Sequence, residues 1–172
     1  MTLTVTRPDR IGNPAALKAL LREYYETILP RLAAVGGPSL SADSLLEGFD
    51  EGLAAYLPPE GVTVLAHDDR QRLVGCGFLR RIGEGRGELK RLYVMPEAQG
   101  RGLGRRLVQE RIDAGRAMGL TRLFTDTVRG NMPMLSLYAS LGFREIPRYE
   151  GNANDPALAP FLVYLELDLA DQ

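Results

Sequence analysis

The stretch Leu92-Tyr93-Val94-Met95-Pro96-Glu97-Ala98-Gln99-Gly100-Arg101-Gly102-Leu103-Gly104-Arg105-Arg106 decides how this chain is read. An apolar run ends at Met95-Pro96, and glycines at alternate positions lead into a helical pattern that runs from Gly102 to Met118. Leu103, Leu107, Val108, Ile112 and Ala117 fall on one face of that helix, with Arg105, Arg106, Glu110 and Asp113 largely on the other, and Gly119 is its stop. Glycine lets backbone approach a ligand closely. A helix opening here aims unpaired N–H groups and its positive dipole end at whatever binds. That chemistry suits a pyrophosphate, and Arg101, Arg105 and Arg106 add charge for further phosphates.

Taken alone, the turn leaves more than one reading open. It is compatible with a plain glycine-rich connection followed by a solvated basic helix face. It is also compatible with a dinucleotide site in which Asp126, at the end of the next strand, binds a ribose and the enzyme is an NAD-dependent dehydrogenase. The spacing argues against the second: Gly100-x-Gly102-x-Gly104 is not GxGxxG, and Met95 to Gln99 separate the strand from the first glycine where a Rossmann turn is tight.

Composition narrows the chemistry further. With 172 residues, 45% hydrophobic and 25% charged, the chain has the profile of one soluble globular domain long enough to bury a core. Its 21 basic against 22 acidic side chains argue against a nucleic-acid partner. His67 and Cys76 are its only His and Cys, so a His/Cys metal cluster and an internal disulfide are excluded, and no metal is expected. Met1-Thr2-Leu3-Thr4-Val5-Thr6 lacks a signal-peptide apolar stretch and no apolar run approaches a membrane span; the expectation is a cytoplasmic protein.

The order of elements follows from periodicity. Thr2 to Arg7 suits a short strand. A helix follows Pro8, with Leu17, Leu20, Leu21, Tyr24, Ile28 and Leu32 on one face, and Gly36-Gly37-Pro38 ends it. A second helix is predicted from Ser41 as N-cap to Leu57, its acids Asp43, Glu47, Asp50 and Glu51 forming a solvated face. Val62 to Ala66, Leu73 to Ile82 and Glu88 to Val94 read as an antiparallel meander, with Gly83, Gly85 and Gly87 in the second turn. Strands at Thr121–Thr127, Phe143–Ile146 and Phe161–Leu169 and a short helix over Pro133–Ser140 complete a single α/β domain.

With its surroundings, Gln99-Gly100-Arg101-Gly102-Leu103-Gly104 resembles the Q/R-x-x-G-x-G/A motif of the GCN5-related N-acetyltransferases (GNAT), preceded by Val94-x-Pro96 and followed in order by Asn131 and Tyr138-x-x-x-Gly142-Phe143. The resemblance covers about residues 61–169. It implies the GNAT fold: a mixed, mostly antiparallel twisted sheet of about seven strands, helices on both faces, and a splayed central strand pair. It also implies an enzyme that transfers the acetyl group of acetyl-CoA to the primary amine of a small molecule by direct ternary-complex attack. A protein or peptide acceptor and a non-catalytic acyl-CoA-binding module are the alternatives. A homodimer through the exposed edge of the C-terminal strands is an expectation from the resemblance alone.

Carried onto this chain, the resemblance places acetyl-CoA against Leu92, Tyr93 and Val94 through main-chain atoms, and against Gln99, Gly100, Arg101, Gly102, Leu103, Gly104, Arg105 and Asn131. Tyr138, two helical turns beyond Asn131, matches the tyrosine that protonates the departing thiolate. Glu88 is the candidate base, on a strand whose residues 88, 90, 92 and 94 share a face by two-residue alternation; a water relay is the other route. Asp126 and Tyr149 are candidate acceptor contacts, and together with Lys90-Arg91 and Thr127 they resemble a bacterial subgroup of small-molecule acetyltransferases. The resemblance places the acceptor cleft between the N-terminal helices and the Pro147–Pro160 loop, where Glu47, Asp50, Glu51, Glu150 and Asp155 weakly favour an amine and Lys90 and Arg91 a carboxylate; solvated surface charge explains each of them equally without a ligand.

Overall fold

The computed structural model describes residues 1–170. Seven strands form one sheet: β1 (Thr4–Thr6), β2 (Gly61–His67), β3 (Leu73–Gly83), β4 (Arg86–Val94), β5 (Arg122–Val128), β6 (Arg144–Ile146) and β7 (Leu162–Asp168), in the order β1-β2-β3-β4-β5-β7-β6. One face carries α1 (Pro14–Ala34), α2 (Ala42–Leu46) and α3 (Phe49–Gly52) over a core that includes Leu17, Leu21, Cys76 and Phe78. The other carries α4 (Leu103–Ala117) and α5 (Met132–Ser140), packed on Leu79, Leu89, Leu123, Leu165 and Leu167. Every neighbouring pair runs antiparallel except β4 and β5, which are parallel to each other.

Local chemistry explains the boundaries. Asn13 caps α1 by accepting from Ala16 N–H at 3.0 Å, with Pro14 in the first turn. Ser41 caps α2, as predicted, but the single helix expected over 41–57 is broken: Gly48 adopts φ +71, and the chain continues as α3 and a 3₁₀ turn over Leu53–Tyr56. Its acids Asp43 and Asp50 pair at the surface with Arg22 and Lys18. The hairpin between β3 and β4 is tighter than expected, so Gly87 lies within β4, where a Cβ would strike Leu120 and Leu79.

The feature that positions everything else is the short marriage of β4 to β5. They pair in parallel only through Arg86↔Arg122, Gly87↔Leu123 and Glu88↔Phe124, after which β4 stays with β3 and β5 stays with β7. A bulge drives β4 away: Lys90 faces Phe78 and Tyr93 faces Cys76, one residue extra on β4, with Arg91 at φ +51. The extra residue also overturns the expected alternation. Glu88, Lys90 and Tyr93 share the α1 face, while Leu89, Leu92 and Val94 belong to the opposite one.

Carbonyls that a continuous ladder would bond are taken up by side chains. Thr125 Oγ1 donates to Leu89 O at 3.1 Å, Gln99 Nε2 to Val94 O at 2.9 Å, and Cys76 Sγ lies 3.7 Å from Arg91 O. Arg111 of α4 spans the bulge, with Nη1 donating to Phe78 O at 3.3 Å and Lys90 O at 3.4 Å, and Nε to Leu107 O at 3.1 Å. It is fully buried, and no carboxylate pairs with it among the described residues. Burial pulls its guanidinium below the ordinary value, opposed by the Tyr138 hydroxyl and the Cys76 thiol.

Gly77 makes room for this arginine, because a Cβ there would lie 2.8 Å from Nε and 3.0 Å from Cζ. Gly77→Ala is therefore expected to cost about 1–3 kcal/mol by overpacking, read from the midpoint of urea denaturation. An unchanged midpoint would show that the guanidinium is not held.

Candidate active site

The split between β4 and β5 opens into a continuous set of hollows, and Tyr24 of α1 lines three of them. The largest is a groove of about 450 Å³, where Leu92, Tyr93, Val94, Gln99, Gly100, Gly102, Leu103, Gly104, Arg105 and Asn131 meet. It thus gathers the residues expected to hold acetyl-CoA, apart from Arg101. That side chain lines a separate hollow with Arg106, beside Met1 and Leu3. Gln99 turns its side chain onto Val94 O, and Arg105 Nη2 is tied to Ser140 Oγ at 2.6 Å.

Helix α4 begins at this groove without a side-chain cap. Its cap residue Gly102 has φ +74 and Gly100 has φ +72, and a Cβ on either would meet nothing within 4 Å. These glycines are needed for backbone shape, and the space beside each of them is open. Such a terminus suits an anion.

Beyond Asn131, which lines both, the groove joins a chamber of about 230 Å³ walled by Thr125, Asp126, Tyr138 and the backbone region Leu89–Leu92. Asn131 precedes α5 and donates from Nδ2 to Thr127 Oγ1 at 2.9 Å. Tyr138 is 3% exposed; its ring packs on Phe143, and its Oη lies 3.5 Å from Thr125 Oγ1. Asp126 Oδ2 accepts from Asn152 Nδ2 at 2.7 Å and Asn154 Nδ2 at 2.9 Å; among the described residues, no hydrogen bond falls on Oδ1.

Glu88 and Tyr149 lie behind this chamber rather than in its wall. Glu88 is 0% exposed. Its Oε1 accepts from Arg80 Nε at 2.9 Å, and its Oε2 accepts from Tyr149 Oη at 2.8 Å, Ala153 N at 3.1 Å and Asn152 Nδ2 at 3.4 Å. Burial, then the charges of Glu88 and Asp126, push the Tyr149 hydroxyl well above its ordinary value, so it serves as a neutral donor. Asn152 bonds both carboxylates, so the loop anchored on Glu88 also orients Asp126.

The acids expected around the acceptor cleft, Glu47, Asp50, Glu51, Glu150 and Asp155, do not line it; Asp126 does. Lys90 and Arg91 both line the chamber, but Arg91 has its charge already engaged. Its Nε donates to Tyr25 Oη at 2.9 Å, and its guanidinium sits over the Tyr56 and Phe78 rings at 5.6 and 5.9 Å.

Several residues escaped the sequence reading. Arg111 lies four residues after Leu107 and beside Ile112, so helical periodicity places it on the buried face despite its charge. Asn152 and Asn154 carry no comparable signal, because a loop has no period.

The acetyltransferase (GNAT) family profile matches residues 18–143, and the chain belongs to that family. An uncharacterized N-acetyltransferase of Schizosaccharomyces pombe is 30% identical over 154 residues, covering 89% of this chain and 86% of the yeast protein. In the shape of the fold, the chain is similar to a GNAT-family acetyltransferase from Staphylococcus aureus, with a TM-score of 0.80 and 16% identity over 98% of this chain and 99% of the other. It is also similar to a spermidine N-acetyltransferase from Vibrio cholerae, solved with CoA and spermine, with a TM-score of 0.64 and 18% identity over 98% and 96% of the two chains.

The glycines separate by conformation. Gly102→Ala should lose about 1 kcal/mol by forcing alanine into the left-handed region. Gly104→Ala, whose Cβ would touch only Leu137 Cδ2 at 3.8 Å, should leave stability unchanged or raise it by up to about 1 kcal/mol. Thermal and urea denaturation of the two variants check this ordering.

Proposed function

We propose that the protein transfers the acetyl group of acetyl-CoA to the primary amine of a small molecule, by direct attack within a ternary complex. The observation that carries the reading is the continuity of the uncapped α4 terminus, the split strand edge and a chamber lined by both Tyr138 and Asp126. A donor with an anionic pyrophosphate and an extended, amide-bearing arm fits this path. The N–H groups of Leu103 and Gly104 hold the pyrophosphate, and the backbone of Leu92–Val94 pairs with the arm. Bound acetyl-CoA supplies an acetyl group activated as a thioester.

In this reading the chain's own groups do the remaining work. A backbone N–H near Val94 stabilises the oxyanion. The Oδ1 oxygen of Asp126 holds the incoming ammonium. Once the amine is neutral, a C–N bond replaces the C–S bond. The ammonium gives up its first proton to water before attack, and the nitrogen loses a second through chamber water after it. The thiolate gains one from Tyr138 Oη, and that water returns one to the tyrosinate, so one proton is released to solvent in all. Glu88 is assigned a positioning role rather than that of the base, since both of its oxygens are already engaged and it lies behind the chamber wall.

Calorimetric titration should show acetyl-CoA binding and no binding of NAD; absence of acetyl-CoA binding would sink the reading. Tyr138→Phe should lower kcat by about 100-fold while the Kd for acetyl-CoA stays within about twofold. A kcat that survives the change removes the tyrosine from proton transfer.

For Glu88, replacement by Gln should keep the acidic limb of the pH–kcat/KM profile and raise KM for the amine. Replacement by Ala should cost about 3 kcal/mol by stranding Arg80 and the loop donors. Loss of the acidic limb in Glu88→Gln would restore Glu88 as the base.

A further inference from the structure

From the chamber, a branch of about 110 Å³ runs between α1 and the end of β5, with Asp126 at their junction lining both spaces. The branch wall is built largely of aliphatic side chains: Ile28, Leu29 and Leu32 from α1, Leu40 before α2, Leu158 before β7 and Leu162 at its start. Asp126 is the only charged residue lining it among the described residues, and the other polar groups there are the hydroxyls of Tyr24, Tyr25 and Thr127 and the Asn154 amide. Burial, then Tyr25 and Asp126, hold the Tyr24 hydroxyl well above its ordinary range, so it adds no charge.

Resting on the reading above, we propose that the acceptor is a singly charged primary amine carrying one compact apolar group, with the ammonium on Asp126 Oδ1 and the apolar group in the aliphatic branch. Three physical arguments converge on this class. A lone carboxylate with one oxygen open matches one cationic head. A second ammonium, as in a polyamine, would be desolvated among leucines with no partner. An amino acid would bring its carboxylate next to Asp126, and the branch holds no cation to answer it among the described residues: Lys90 and Arg91 line only the chamber, where Arg91 is already held by Tyr25 Oη and the Tyr56 ring. Size follows from the volume: a cavity of about 150 Å³ holds a benzene ring, and this branch, smaller at about 110 Å³ but open to the chamber, takes a group no larger than one ring, with a short branched chain the better fit.

The test uses the full chain with saturating acetyl-CoA and follows thiol release with benzylamine and isopentylamine, against spermidine, leucine and a short peptide. The two apolar monoamines should exceed spermidine and leucine in kcat/KM by at least ~10-fold. Leu40 is 36% exposed and on the branch rim, so a charge there is tolerated by the fold. Leu40→Glu should cut kcat/KM for isopentylamine by ~10-fold, raise that for spermidine, and leave the Kd for acetyl-CoA unchanged. Spermidine, leucine or the peptide matching the monoamines would overturn the proposal. So would a preference indifferent to Leu40→Glu, or acetyl-CoA binding with no turnover of either monoamine. Failure to bind acetyl-CoA would instead overturn the function on which the proposal rests.

Discussion

The parallel ladder between β4 and β5 lasts for three residue pairs, and the rest of the molecule is organised around its ending there. A central strand pair that separates exposes backbone hydrogen-bonding groups inside a folded protein, which is costly unless each finds a partner. Here the carbonyls of Leu89, Lys90 and Val94 are taken by Thr125, Arg111 and Gln99. The opening is thus a built feature. It is also a passage between the two layers: Tyr138 and the α4 terminus belong to one face of the sheet, Asp126 and α1 to the other.

Two buried charges hold this arrangement in different ways. Glu88 sits just before the split and gathers Arg80, Tyr149, Asn152 and the Ala153 N–H, so the loop after β6 closes over the α1 face and aims Asp126. Its burial is compensated by a cation and hydrogen bonds, the condition under which a buried carboxylate is tolerated. Arg111 has carbonyl dipoles instead of a carboxylate, and its Nη2 has no hydrogen-bond partner among the described residues. A positive charge left partly unanswered beside the bulge and Tyr138 is a cost that the position of the split makes intelligible.

Much of the groove was legible because its groups are local. Gln99 to Gly104 form one turn and the start of one helix, and Asn131 and Tyr138 share α5, so their proximity follows from helical spacing. The failures were also physical. Alternation on β4 assumes an uninterrupted ladder, and the bulge at Arg91 exchanges the faces of Leu92 and Val94. The acids of the second predicted helix form its solvated face, as expected; the further suggestion that Glu47, Asp50 and Glu51 favour an amine in the cleft fails, because charge is visible in a sequence while its direction is not. Asp43 and Asp50 answer Arg22 and Lys18 at the surface.

The sequence by itself determined the order of elements, the glycine turn, the GNAT resemblance and the candidate cofactor set, because periodicity, capping and turn chemistry act over a few residues. Only the tertiary structure decided which carboxylate faces the chamber. Glu88 and Asp126 are equally acidic on paper, and both lie on strands beside the split. The difference is made by Arg80, Tyr149 and the Asn152–Asn154 loop, which surround Glu88 with donors and leave one oxygen of Asp126 open. Arg80 stands 8 residues from Glu88 and Tyr149 61 residues from it, so contacts of such separation exist only once the sheet has formed.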